Sequence, residues 1–324
     1  MWVGGINYRH YKYDHVKQMR RQPGSTFKPF VYASAIESDI VTPCDYVVDE
    51  PVTFGQEDGI MKTWTPQNSD GKYSYQSMSL RRAMARSINT ISAKLMKQLG
   101  PQKVAEFAHR VGITSPLNET PALCLGASEV SIFEQVDAYC SFVNEGYRIE
   151  PLLILSIEDK NGNELRRFET TTKQVMNKET AYKMVHMLQG AVQEPGGTAE
   201  GLRRYSCAQG NEIGAKTGTT SNYSDGWFMG VTQNLVGGVW VGGDDRSIHF
   251  RSISLGQGAK MAMPAYAMFM DKVYADPSLR IAGYKKGPFN KPDGVDINCY
   301  AAPSDSTQVQ PPTVKPKDED GFLN

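Results

Sequence analysis

The chain has 324 residues, of which 40% are apolar, 22% charged and 10% aromatic, and 35 basic side chains balance 35 acidic ones. That composition describes a globular protein long enough to bury a sizeable core, and it rules out disorder throughout. Zero net charge removes the basic surplus that nucleic-acid or anionic-membrane partners call for.

In chain order, a helix is expected over residues 25–38, opened by Pro23-Gly24, with Phe27, Val31, Ala35 and Ile36 along one side. A second helical stretch covers 79–99, with a break near Ser87 and a stop at Gly100-Pro101. Further helices are expected over 102–111, 132–145 and 178–193. Between the last two, 152–158 and 164–168 flank an Asn-Gly turn and read as a β-hairpin. The segments 213–219, 226–231 and 235–241 follow one another with short polar breaks, as an antiparallel meander would. A mixed α/β body over 1–300 is expected, followed by a disordered Pro/Ser/Thr/Gln-rich tail over 301–324.

The longest apolar runs, 152–157 and 235–241, fall short of the ~18 residues that span a bilayer. The first residues show no basic-then-apolar signal pattern. The five cysteines are scattered, with no C-x-x-C pair, and read as small core hydrophobes. There is no G-x-S-x-G elbow, H-E-x-x-H motif or phosphate-binding P-loop, which argues against a Ser-His-Asp hydrolase, a zinc protease and an NTPase.

What remains is a lysine-assisted serine. Ser25 and Lys28 stand three apart at a helix start, so the amine can reach the hydroxyl, and a helix N-terminus favours negative charge on the serine oxygen. A hydroxyl needs a base, and a lysine whose pKa is lowered by burial or cationic neighbours can serve. S-x-x-K is cheap, with about one copy expected by chance in a chain this long. Ser69-Asp-Gly-Lys72 is a second copy, in a turn where the two side chains need not share a face. The plain structural reading of Ser25 is a helix N-cap. Ser87-Ile-Asn89 places a hydroxyl and an amide at the helix break, where a cap or turn is the alternative. Lys216-Thr217-Gly218-Thr219 ends a strand with a cation, two hydroxyls and a glycine that lets a ligand approach the backbone; the alternative is an exposed strand terminus.

In this order and spacing the three segments resemble the S-x-x-K, S-x-N and K-T-G set of the penicillin-recognising serine enzymes, a set known for penicillin-binding proteins and class A β-lactamases. The flanks narrow the resemblance. R-Q-P-G-S-T-F-K-P-F at 21–30, W-T-P-Q-N at 64–68, L-R-R-A-M-A-R-S-I-N-T at 80–90 and K-T-G-T-T-x-N-x-x-D-x-W-F-x-G at 216–230 resemble the transpeptidase domain of class A penicillin-binding proteins, over roughly 3–275.

The resemblance implies an α+β fold, an α/β/α sandwich whose antiparallel sheet of about five strands is flanked by helices. On this resemblance the strand that usually precedes the Val3-Gly4-Gly5 segment would be missing, and the sheet would lack an outer strand. For function it implies a peptidoglycan DD-transpeptidase with stem peptides as substrates and β-lactams as inhibitors, and no metal or organic cofactor. Ser25 would be the nucleophile, Lys28 the base and Ser87 the proton relay. Asn89 would orient the stem-peptide amide. Lys216, Thr217, Gly218 and Thr219 would hold the terminal carboxylate, and the backbone N–H groups of Ser25 and Thr219 would form the oxyanion hole. The alternatives are a DD-carboxypeptidase, a serine β-lactamase or a non-catalytic β-lactam-binding fragment. No Glu-x-x-Leu-Asn segment of class A β-lactamases is present, so a persistent acyl-enzyme is expected. The resemblance places the protein on the outer face of the bacterial cytoplasmic membrane. The membrane anchor and glycosyltransferase domain with which such proteins normally begin would lie outside this chain.

Overall fold

The computed structural model describes residues 1–297 apart from Ile6, Tyr8, Ser221 and Asp296, so the expected tail over 301–324 lies outside the described residues. At its centre is helix α1 (Lys28–Glu37), entered through the 3-10 turn Gly24–Phe27. Every residue of α1 from Lys28 to Ile36 is buried. A helix without a polar face can only be interior, and α1 is the post around which α3, α4 and α6 pack.

Helices α2 (Leu80–Ala85) and α3 (Asn89–Leu99) are separated at 86–88, where the sequence places a break. Gly100, with φ of 80°, ends α3, and Pro101 starts α4 (Pro101–Val111). Helices α5 (Ile132–Val143) and α6 (Lys178–Gln193) follow, close to the expected bounds. Three antiparallel ribbons decorate this body: β1 (Tyr46–Val48) with β2 (Ser77–Ser79), β3 (Tyr147–Ile149) with β6 (Thr172–Gln174), and β4 (Ser156–Glu158) with β5 (Glu164–Arg167). The last is the expected hairpin.

The central sheet is the expected meander, β7 (Gly214–Thr219), β8 (Asp225–Val231) and β9 (Val236–Gly242), antiparallel and in chain order. Side chains alternate across it. Met229 and Val231 join the core that holds Phe30 of α1, Tyr139 of α5 and Leu188 of α6. Phe228 and Ala215 face the second core, with Tyr266 and Met270. Those last two belong to α9 (Met263–Ala275), which follows the short turns α7 (Ile253–Gly256) and α8 (Gly258–Met261). The rings of Phe228 and Tyr266 lie 5.0 Å apart. A Cβ on Gly230 would fall 2.3 Å from the Tyr266 ring, so that strand position must be glycine for α9 to seat. Two helical layers thus enclose the sheet, as the α/β/α reading requires.

Against an expectation of about five strands, the central sheet has three among the described residues. Among the described residues, Val3, Gly4 and Gly5 belong to no strand. The Gly4 carbonyl is instead taken by His15, whose backbone N–H donates at 2.8 Å and whose Nδ1 lies at 2.7 Å. Helix α9 was not expected from the sequence. No described helix is long and apolar enough to cross a membrane. Cys124 and Cys207 are buried free thiols as expected, whereas Cys44 is disulfide-bonded rather than a simple core residue.

One buried carboxylate fixes α5 against the turn after α4. Glu134 is 3% exposed and closes a capping box with Ser131. It also accepts from the backbone N–H groups of Thr114 and Ser115 at 2.9 and 2.6 Å and from both of their hydroxyls. Burial pushes its pKa up, but these hydrogen bonds outweigh burial and hold it at about 2, below the ordinary 4.5. At 1.36 kcal/mol per unit, the ionised form contributes roughly 3 kcal/mol to stability. Because the folded-state pKa is depressed, this contribution is present above about pH 5 and is lost as pH falls toward 2. Urea denaturation of Glu134→Gln is therefore expected to show a deficit of roughly 3 kcal/mol at pH 7 that shrinks between pH 5 and 3. A pH-independent deficit would contradict this.

Candidate active site

Ser25 lies in the 3-10 turn, not at a helix cap; Phe27 occupies the N-cap of α1 and no side chain caps that end. In a 3-10 turn residues three apart eclipse, so Ser25 and Lys28 project from the same side. Gly24, with φ of +56°, makes the turn possible, and a Cβ there would lie 2.8 Å from the Thr219 carbonyl oxygen. Gly218 is as tight, since a Cβ at that position would meet the Pro23 carbonyl oxygen at 2.4 Å. These two glycines let the turn that bears Ser25 sit directly on the end of β7. The second S-x-x-K copy is an exposed turn, with the Gly71 N–H on the Asn68 carbonyl at 2.9 Å.

Ser25 Oγ makes no hydrogen bond among the described residues, and Lys28 Nζ points past it to the helix break. Lys28 Nζ donates to the Ser87 carbonyl at 2.6 Å, to Asn89 Oδ1 at 2.7 Å and to Ser87 Oγ at 3.2 Å. Lys216 Nζ donates to the same Ser87 Oγ at 2.9 Å and to the Thr217 carbonyl at 3.0 Å. Both lysines are fully buried. Burial lowers the Lys28 pKa to about 7, and burial followed by the neighbouring Lys28 charge lowers that of Lys216 well below its ordinary value. Ser87 itself has φ of 59°, a left-handed conformation that costs a non-glycine residue about 1–3 kcal/mol. It turns carbonyl and hydroxyl toward one amine.

The Asn89 amide is oriented by its other end, with Nδ2 donating to the Gln67 carbonyl at 2.7 Å, so Oδ1 faces Lys28. On β7, Thr217 and Thr219 share a face by strand alternation. Thr219 Oγ1 accepts from the Gly258 N–H at 3.2 Å, which leaves its own proton free to donate to an anion. An open cleft of about 450 Å³ runs alongside, lined by Gly24, Trp64, Gln67, Asn89, Gly126 and Thr220 among others.

The expected residues thus come together at the end of β7, Lys28, Ser87, Asn89 and Lys216 through hydrogen bonds and the turn bearing Ser25 through the contact of Gly24 with Thr219, while Asn89 and Gly24 open onto the cleft. Sequence reading missed the residues that hold them together. Arg21 Nε donates to Asp225 Oδ1 at 2.6 Å in a buried pair, and Trp240 Nε1 donates to the same oxygen at 2.9 Å. The Asp225 carboxyl is pushed up by burial, but hydrogen bonds from Ser224, Arg21 and Trp240 bring it below its ordinary value. This pair ties the segment entering Ser25 to the start of β8, just past the turn that leaves Thr219. Arg21 and Asp225 stood inside the matched segments, but spacing alone gave no reason to pair residues so far apart.

Residues 7–244 match the family model described as the penicillin binding protein transpeptidase domain. Penicillin-binding protein 1A of Neisseria meningitidis serogroup A is 32% identical over 83% of this chain and 33% of its own length. Penicillin-binding protein 2D of Bacillus subtilis is 32% identical over 88% of this chain and 43% of its own. The chain therefore spans about a third to two fifths of the length of these relatives. Among solved structures, penicillin-binding protein 1A from Haemophilus influenzae superposes with a TM-score of 0.76 at 29% identity, over 85% of this chain and 45% of that one. The PonA1 protein of Mycobacterium tuberculosis in complex with penicillin V superposes with a TM-score of 0.70 at 25% identity, over 90% of this chain and 77% of that one. With the family model covering most of the chain and the fold agreeing, this protein belongs to the penicillin-binding protein transpeptidase domain family.

Proposed function

We propose that this domain is a serine-type peptidoglycan DD-transpeptidase acting outside the cytoplasmic membrane and acylated by β-lactams. The observation that carries this reading is the single hydroxyl, Ser87 Oγ, held between Lys28 Nζ at 3.2 Å and Lys216 Nζ at 2.9 Å, with Ser25 on the turn that leads into Lys28. A ligand-free site commonly has long catalytic hydrogen bonds that tighten on binding, so the orientation of Lys28 toward Ser87 is compatible with a role as base.

The terminal carboxylate of a stem peptide would bind Lys216 and the hydroxyls of Thr217 and Thr219, favouring a proton on Lys216 and, through the repulsion of that charge, the neutral form of Lys28. Ser25 Oγ then attacks the penultimate D-Ala carbonyl and gives its proton to Lys28. The tetrahedral oxyanion sits between the N–H groups of Ser25 and Thr219, each worth about 3 kcal/mol in such sites. The C–N bond breaks as the proton passes through Ser87 Oγ to the leaving amine. D-Ala departs, and Ser25 carries the acyl ester. An amine from a neighbouring strand reverses these steps and forms the cross-link.

Two outcomes test this reading. Incubation with a fluorescent penicillin is expected to give a stable one-to-one mass adduct that Ser25→Ala abolishes; no adduct, or an adduct that survives the substitution, would falsify it. The base must also be neutral to act. With the Lys28 pKa near 7, the second-order acylation rate is expected to rise about tenfold per pH unit below 7 and to level off above it. A rate flat between pH 5 and 8 would assign the base to another group.

A further inference from the structure

Helix α3 begins with Asn89, yet the residue at its N-cap, Ile88, has no side chain able to accept from the exposed N–H groups. The cap comes from elsewhere. Asn68 Oδ1 accepts from the Asn89 N–H at 2.8 Å and, more weakly, from the Thr90 N–H at 3.4 Å. Asn68 is held in turn by Asp49, a residue in none of the sequence motifs and only 2% exposed.

Every contact of the Asp49 carboxylate is with a donor. Oδ1 accepts from Thr90 Oγ1 at 2.6 Å and from Asn68 Nδ2 at 2.8 Å. Oδ2 accepts from the Ser74 N–H at 2.9 Å and from Ser74 Oγ at 2.8 Å. The Asp49 backbone is fixed as well, its N–H donating to the Gln76 carbonyl and its carbonyl accepting from the Tyr75 N–H. A carboxylate is acceptor-only, and its charge lies near the start of α3, where negative charge is favourable. With Asn68 fixed, the preceding Gln67 carbonyl is fixed too, and that carbonyl receives Asn89 Nδ2 and aims Asn89 Oδ1 at Lys28 Nζ.

We propose that Asp49 is a positioning residue for acylation: through Asn68 it caps α3 in trans and sets the Asn89 amide that holds the Lys28 base. The proposal rests on the acyl-transfer reading of Ser25 and Lys28. Asp49 touches neither substrate nor reacting atoms; it acts three hydrogen-bonded links away, along Asn68, Asn89 and Lys28.

The polarity of the Asp49–Asn68 bond supplies the test. Asp49→Asn aims an amide donor at donors, and Asn68→Asp sets two carboxylates against each other. The combined exchange restores a donor and an acceptor in reversed order, while Asp at 68 can still accept from the Asn89 N–H; it forgoes the exposed Asn68 Nδ2 bond to the Lys72 carbonyl. Acylation by a fluorescent penicillin is measured by stopped flow on the full chain and normalised to the folded fraction. Each single variant is expected to acylate about 10- to 100-fold more slowly, the loss of one or two charge-assisted hydrogen bonds. The exchanged pair is expected to return to within a few-fold of wild type, a rescue that general loss of stability would not produce. Thr90→Val, which removes a single donor, and Thr90→Ser, which keeps it, carry the same comparison if Asp49→Asn does not fold. Single variants at the wild-type rate, or an exchanged pair no faster than the singles, would overturn the proposal while leaving the acyl-transfer reading intact. A wild type that forms no adduct would overturn that reading, and the proposal with it.

Discussion

Two fully buried amines meet at one hydroxyl, and much of the structure is explained by that constraint. Lys28 and Lys216 lie within 3.2 and 2.9 Å of Ser87 Oγ, so their nitrogens are no more than about 6 Å apart. Two positive charges at that separation repel by roughly 3 kcal/mol at an effective dielectric of about 20, before the larger cost of removing each from water. Burial and this repulsion both favour loss of a proton, which is the condition for a lysine to accept one from a serine. Burial is therefore the source of the chemistry. It is supplied by α1, buried from Lys28 to Ile36, and by β7, an edge strand that α6 and the Gly24–Phe27 turn cover.

Burial alone does not aim an amine. The aim comes from two polar clamps on either side of the cleft. Arg21 and Asp225, with Trp240, join the approach to Ser25 with the exit from Thr219, and the contacts of Gly24 and Gly218 let the two backbones meet. On the other side Asp49, Asn68 and Gln67 hold the start of α3 and the Asn89 amide. Each clamp turns on a buried carboxylate, Asp225 or Asp49, both of whose oxygens accept hydrogen bonds. Removing one partner from such a network costs more than the network contributes net, because the remaining charge is left unsatisfied. The strained φ of Ser87 is tolerable inside that frame.

The residues with a direct chemical role were legible in the sequence because their spacing is local: Ser25 and Lys28 on one turn, Ser87 and Asn89 at one break, Lys216 to Thr219 on one strand end. The helix α6 and the meander were legible from periodicity and turn residues, and the break in 79–99 from the polar run at Ser87. Helix α9 escaped because it opens on Met-Pro after a glycine-rich stretch and buries Tyr266, Met270 and Tyr274 without a sharp polar face. The sheet is narrower than the family resemblance implied, since Gly4 bonds to the neighbouring His15 instead of extending an edge. Asp49 and the pairing of Arg21 with Asp225 could not be read at all. Their meaning lies in contacts between residues distant in the chain, and a lone buried carboxylate leaves no periodic trace.

The central claim is that burial lowers the Lys28 pKa to about 7, so that a large share of this amine is neutral near physiological pH. Side-chain NMR of the protein labelled with 13C at lysine Cε, assigned through Lys28→Met, measures that protonation state directly. A Lys28 resonance that titrates near pH 7, separated from the surface lysines near 10.4, is the result the account predicts. A Lys28 that remains protonated up to pH 10 would contradict it.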